Sequence, residues 1–441
     1  MISPLDDRYS HLTENISAIC SEKSAYESYV NIELNWLKYL VNRGIGVFNK
    51  ISREEKDKII NELKFFGISF DESSLYGIKN IEAKCNHDIK AVEIWLRFLL
   101  STNEITRPYI EYIHIGLTSE DIKNLSIRIM FNKLVENYHG SVKKFNALLA
   151  GIAVENNYTI MAKTHGQDAT PTTFKKEMYV YISRISKLLE RFRYLHTEIK
   201  FGGATGNLNA LYVAFPDVEW GYECDTFIKK YYGLKRLEYT TQVNNNDDIV
   251  LQLSHINIIN NVLLDFTQDI WYYSLLKCLK IKEPKEYVGS STMPHKINPI
   301  DFENAEGNIK YSNSLLRVMI DNIQISRLQR DLSGSTLLRN ISMPFGHIEV
   351  AMSNLIKGIK KISLNIEEID AELYSNQQVL LEAVQTVLRK NCVPDAYDII
   401  KSLSADNMSR HDYIKIVEKF KDKLPTSDFI TLKSLTPQKY Y

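Results

Sequence analysis

Turn-forming residues are scarce in this chain. Its 441 residues include only 18 glycines and 11 prolines, well under the roughly 7% and 5% of ordinary proteins. Few turns are therefore being made per residue. Cysteine is also sparse. Cys20, Cys85, Cys224, Cys278 and Cys392 are scattered, odd in number and never in CxxC spacing. That argues against a disulfide scaffold or a zinc site and fits the reduced thiols of a cytosolic, cytoplasmic protein. Neither charge is in excess: 54 Lys+Arg meet 54 Asp+Glu. A binder of nucleic acid or of anionic membrane usually carries a basic surplus, so neither partner is expected. No run approaches the 18 or so apolar residues of a membrane span, and the opening MISPLDDRYS lacks the apolar core of a signal peptide. What is present is 44% apolar and 24% charged residues, a globular composition that can bury a large core.

The missing breakers outline the architecture. Residues 172–201, 234–283, 308–333 and 359–393 contain neither glycine nor proline, and each stretch is much longer than a mean helix. In the longest, apolar residues recur at spacings of three and four: Ile249, Leu253, Ile256, Ile259, Leu263, Phe266, Ile270, Tyr273, Leu276. The stretch 172–201 repeats the pattern with Met178, Ile182, Ile185, Leu189, Phe192 and Ile199. This is the period of a helix, not the alternation of a strand. Val250, Leu251, Ile258, Val262 and Leu264 fall off the main seam, so that helix is expected to meet several neighbours. The expectation is an all-α chain in three parts: a helical domain over 1–115, a central bundle of long helices over 116–365 and a helical domain over 366–441.

In such a chain, function is expected where breakers and small polar residues gather. Three segments qualify: 163–171 (KTHGQDATP), 202–207 (GGATGN) and 287–299 (YVGSSTMPHKINP). The glycine cluster 202–207 serves a turn first, and it is no dinucleotide fingerprint, because Phe201 stands where the first glycine would fall. In the third segment, Gly289, Ser290 and Ser291 offer backbone N–H groups to an anion, and Pro294 and Pro299 keep the loop out of its flanking helices. Composition alone does not separate Ser290 from Ser291.

The string GSSTMPHKINP over 289–299 resembles the GSSxMPxKxNP signature of the fumarase/aspartase lyase superfamily. Its MPHK form is similar to the adenylosuccinate lyase family in the bacterial, purine-pathway form. So are Pro4–Tyr9, Cys85–Asp88, Leu117–Asp121, Lys163–Gln167, Tyr239–Gln242 and Ser326–Asp331. The resemblance runs from about residue 3 to the C-terminus. It implies a homotetramer whose core is built from the long helices, with active sites shared between subunits. The implied reaction is β-elimination of fumarate from adenylosuccinate, giving AMP. The same elimination on succinyl-aminoimidazole-carboxamide ribotide would give the carboxamide ribotide.

That chemistry needs a base, an acid and groups to hold developing carboxylate charge. By the motif match, Ser290 is the base, Lys296 and Asn298 hold the carboxylate, and His165 protonates the leaving nitrogen. His87 is expected close to the substrate. Asp88 would either fix the His87 tautomer or cap the following helix. Thr118 and Ser119 match substrate contacts, although with Glu120 and Asp121 they also read as a helix N-cap. Arg8, Tyr9, Asn86, Gln242, Ser291, Asn304, Arg330, Ser335 and Arg339 complete the expected contacts, the arginines suiting phosphate and carboxylate. Asp168 departs from the family, many members having proline there, and Asn244–Asn246 replaces a more varied stretch. No metal and no cofactor is expected. Another lyase of the superfamily, such as argininosuccinate lyase, fumarase or aspartase, is the alternative. A catalytically silent structural member is a second one.

Overall fold

The computed structural model describes residues 2–192, 197–282, 293 and 295–440. Helices dominate it. The longest used below are α1 (Glu22–Arg43), α2 (Asp88–Ser101), α3 (Ser119–Glu155), α4 (Phe174–Phe192), α5 (Asp247–Leu275), α6 (Ile300–Asn322) and α7 (Ser342–Ile359). The described strands form three two-stranded sheets. In one of them β1 (Thr159–Thr164) pairs antiparallel with β2 (Gln167–Thr173), with a bulge between Met161 and Lys163.

Most of the seam read from the sequence is real. Ile249, Leu253, Ile256, Ile259, Leu263, Phe266 and Ile270 are all buried along α5, whereas Tyr273 is half-buried and Leu276, just past the helix end, is exposed. One stretch of α5 has the mean hydropathy of a membrane span, but half of that stretch is buried inside the protein. A core helix meets the same criterion.

Absence of glycine overstated helix length, however. The breaker-free stretch 308–333 is helical only to Asn322, and 359–393 is divided among helices Ile366–Ser375, Gln377–Leu380 and Leu381–Lys390. Ile199 lies in a short strand paired with residues 235–236, not on α4. The chain turns instead at non-glycine residues in the left-handed region: Asn246 (φ 61°) before α5, Lys277 (φ 59°) after it and Leu328 (φ 49°) beyond α6. The converse error concerns α3, at 37 residues the longest of the seven. It contains Gly140 and Gly151, where an added Cβ would meet nothing within 4 Å. Glycine on an open helix face costs about 1 kcal/mol and breaks nothing.

Two compact units make up the chain. The first comprises residues 1–141, 189–258 and 310–350, the second 142–188, 259–309 and 351–441. In the first, Trp36 and Tyr39 of α1 pack with Phe201 and Phe227, the Trp36 ring centroid 5.3 Å from Phe201 and 5.0 Å from Phe227. These rings are buried, and they fix the chain at the start of the 202–207 glycine turn.

Candidate active site

In the first unit, short helix-to-helix joints carry several of the expected site residues. Asn86 closes helix Glu72–Cys85 in the left-handed conformation (φ 51°), and His87 opens α2 as its N-cap. The His87 Nδ1 accepts the Lys90 backbone N–H at 3.1 Å. A ring nitrogen that accepts carries no proton, so the neutral ring holds its hydrogen on Nε2. That nitrogen stands 3.5 Å from Ser119 Oγ.

The two roles weighed for Asp88 therefore resolve differently: the capping side chain is His87. Asp88 binds Lys123 Nζ at 2.6 Å and stands 3.9 Å from Arg339. Burial pushes the Asp88 carboxyl up, but the Lys123 hydrogen bond and charge outweigh it and hold the group below the usual carboxylate range. Lys123 escaped the sequence reading. Its spacing from Ser119, one helical turn, was the signal that could have found it.

The start of α3 is built around two acids. The Thr118 backbone N–H donates to Asp121 Oδ2 at 2.9 Å, half of a capping box. Asp121 is fully buried against Lys200, whose Nζ lies 2.6 Å from Oδ1. Glu120 stands 3.3 Å from Arg330. Burial raises the Glu120 carboxyl above its ordinary value, with Arg330 as the main opposing influence. Arg330 also donates to Gln242 Oε1 at 3.0 Å, and Gln242 Nε2 donates to Ala204 O at 2.7 Å. Glu120 and Ser335 share the lining of a cavity of about 200 Å³ with Thr241, Asn244 and Asp331. Arg330 falls in the breaker-free stretch 308–333 but not on a long helix. Arg330 lies in the segment after α6, and Arg339 caps the six-residue helix Ser333–Leu338. Near the start of the chain, Arg8 is exposed and lies over the Tyr9 ring, 5.7 Å from its centroid.

The second unit holds the remaining groups. The segment 163–171, singled out for its breakers and small polar residues, is largely the β1–β2 hairpin, paired from Thr159↔Thr173 to Thr164↔Gln167. Alternation is weak there, which hid the strands. His165 (φ 54°) and Gly166 (φ 75°) form the two-residue turn, both left-handed, the geometry that suits a tight hairpin. His165 is exposed at the tip. Behind it, Lys163 pairs across the strands with Asp168 and with Glu372 of helix Ile366–Ser375. Lys296 is exposed and Asn298 partly buried, just ahead of α6. The Asn304 Oδ1 accepts from Asn308 and from Asn354 of α7, both at 3.0 Å. Ser290 and Ser291 lie outside the described residues. Among the described residues, no group of three or more His, Cys, Asp or Glu is arranged to hold a metal ion.

The family models divide the chain. Residues 7–311 match the family described as lyase, and residues 326–441 match the adenylosuccinate lyase C-terminal model. Solved structures share the fold. The 3-carboxy-cis,cis-muconate lactonizing enzyme of Pseudomonas putida superposes with a TM-score of 0.78 at 18% identity, covering 99% of this chain and 96% of that one. A fumarate lyase of Mesorhizobium sp. BNC1 gives 0.77 at 15%, covering 97% and 94%. The helical fold and the family match define a lyase.

Sequence relatives narrow the class. Adenylosuccinate lyases of Buchnera aphidicola (from Schizaphis graminum), Dictyostelium discoideum and Escherichia coli K12 are 36%, 37% and 34% identical. Each alignment covers 100% of this chain and 96% of the relative. The chain belongs to the adenylosuccinate lyase family.

Proposed function

We propose that this chain releases fumarate from adenylosuccinate, leaving AMP, and by the same elimination from succinyl-aminoimidazole-carboxamide ribotide. The observation that carries this reading is full-length similarity to adenylosuccinate lyases, joined to a cluster of paired arginine, histidine and serine at the start of α3. In the proposed reaction, Ser290 takes a proton from the succinyl CH2 carbon, and the electron pair left behind is held on the adjacent carboxylate. That pair then forms the C=C bond of fumarate as the neighbouring C–N bond breaks, its electrons leaving with nitrogen, and His165 gives that nitrogen a proton. Lys296 and Asn298 hold the carboxylate on which charge grows before the bond breaks. Asn86, His87, Asp88, Thr118, Ser119, Gln242, Ser291, Asn304, Ser335, Arg8, Tyr9, Arg330 and Arg339 surround the substrate. His87, donating from Nε2, and the arginines suit its phosphate and carboxylates.

The proposed setting is a homotetramer in the cytoplasm, with sites shared between subunits and the 116–365 region as its core. Exposed apolar residues support a helical interface. Leu251 is 58% and Ile258 49% exposed one heptad apart on α5, and Tyr311 and Val318 repeat that spacing on α6 at 53% and 50%. The free cysteines fit a reducing compartment.

The test is direct. Purified protein mixed with adenylosuccinate should consume it and release fumarate. Turnover of argininosuccinate or aspartate in its place would overturn the substrate assignment. Ser290→Ala should abolish elimination while leaving substrate binding largely intact, and an unimpaired rate would refute the base. Sedimentation showing an active monomer would contradict the shared sites.

A further inference from the structure

The buried pair Asp121 and Lys200 belongs to no expected contact, yet the bonds of the Asp121 carboxylate lead toward several. Both side chains are completely buried. Asp121 uses both oxygens twice. Its Oδ1 accepts from Lys200 Nζ at 2.6 Å and from the Gly202 N–H at 2.9 Å. Its Oδ2 accepts from the Gly203 N–H at 3.0 Å and from the Thr118 N–H at 2.9 Å. Lys200 Nζ also donates to Gly203 O at 2.6 Å, and the Lys200 N–H donates to Asn124 Oδ1 at 2.9 Å. One carboxylate thus joins the first turn of α3 to the glycine turn.

The glycine turn passes the constraint on. The next residue, Ala204, presents the carbonyl that holds the Gln242 amide at 2.7 Å, and Gln242 Oε1 receives Arg330 at 3.0 Å. Arg330 then returns to α3 through Glu120, the neighbour of Asp121 in sequence. The circuit closes on itself. Its backbone has no slack: at Gly206 (φ 80°) an added Cβ would lie 2.3 Å from Thr240 O, and at Gly202 it would lie 3.0 Å from the Gly206 backbone. A buried ion pair is a weak source of stability, because desolvation offsets most of its attraction. Retaining one here is accounted for by what it holds in place.

We propose that Asp121 and Lys200 are positioning residues that set Thr118, Gln242 and Arg330 in the geometry that receives the substrate. The proposal rests on the function proposed above. Neither residue touches substrate. Each acts through backbone groups of the glycine turn and of Thr118.

The test compares wild type with Asp121→Asn and with the double variant Asp121→Asn/Lys200→Met. The double variant carries no unpaired buried charge and so guards against simple unfolding. With a melting temperature near that of wild type, it should lose about 100-fold in kcat/KM on adenylosuccinate, the scale of a misplaced binding group. The loss should fall mainly on KM. Arg330→Met should lower kcat/KM strongly in wild type but add little in the double variant, because the two act through one another. Full additivity of the losses, or wild-type kcat/KM in the double variant, would overturn the proposal. Amide hydrogen exchange at Gly202 and Gly203 reads the same constraint without turnover. It should accelerate in Asp121→Asn, and unchanged exchange would also overturn the proposal. A wild type inactive on adenylosuccinate would remove the function while leaving the exchange result to stand or fall alone.

Discussion

The start of α3 and the His165 hairpin hold their candidate site residues in opposite ways. Around Thr118–Asp121, charge sits on buried or half-buried groups with fixed partners: Asp121 with Lys200, Glu120 with Arg330, Asp88 with Lys123. In the hairpin, His165 stands exposed on a two-residue turn, and its support lies behind it in Lys163, Asp168 and Glu372. The first arrangement suits recognition, which needs a site built before the ligand arrives. The second suits proton transfer, whose group must reach a leaving atom and become enclosed only with it. The proposed binding and proton-transfer groups thus differ in how far the fold encloses them.

Substitutions can break this contrast, beginning with the largest effect. His165→Ala should cost about 10²–10⁴-fold in kcat, as a lost acid does, with little change in KM. A steady-state series on adenylosuccinate would show it, and a loss confined to KM would erase the distinction. Arg330→Met should do the reverse, raising KM by roughly 10–100-fold, the worth of a hydrogen bond to a charged group. Its effect on thermal stability should be smaller than that of breaking the Asp121–Lys200 pair, because burial raises the Glu120 carboxyl and so lowers the cost of leaving it without Arg330.

Smaller effects concern stability. His87→Ala should remove about 1 kcal/mol by leaving α2 uncapped, measurable by denaturant unfolding alongside any rise in KM. The pair of His114 with buried Glu33, 2.6 Å apart, gives a dependence on pH. Burial lowers the His114 value, but the hydrogen bond and charge of Glu33 outweigh it, and the folded value ends above the usual one near 6.5. The pair's contribution is therefore complete below that usual value and is lost as pH rises through the higher folded one. Melting temperature followed upward from pH 6 should fall in wild type, and His114→Gln should flatten that part of the curve. Least of all, Lys163→Gln should change global stability by under about 1 kcal/mol, as partly exposed ion pairs do. Its effect on kcat would tell how much His165 depends on the strands behind it.

The sequence was most legible where one kind of signal acted alone. The α5 seam followed from spacing because burial on that face was continuous from Ile249 to Ile270. Helix ends were less legible, since Asn246, Lys277 and Leu328 turn the chain without glycine. The hairpin was hidden for a related reason: β2 is rich in threonine and short polar residues that give no clear alternation. Candidate site residues emerged from motif resemblance rather than from composition. That resemblance named Gln242 and Arg330 but not the groups behind them. Asp121 looked like a first-turn acid, and nothing in its spacing announced a partner 79 residues away at Lys200. Long-range pairing of buried charge is a property of the fold and leaves little local trace.

The cap on α2 restricts what evolution or an engineer can place at position 87. The side chain there must accept from the Lys90 amide on one side and donate toward Ser119 on the other. Serine offers the first readily and the second only by sharing one short hydroxyl, while lysine offers the second alone. Asparagine, with an acceptor and a donor on opposite sides of one amide, is the substitute that comes nearest to both demands. A tolerance ranking at this position, asparagine above serine above alanine, would be written by helix architecture as much as by the substrate.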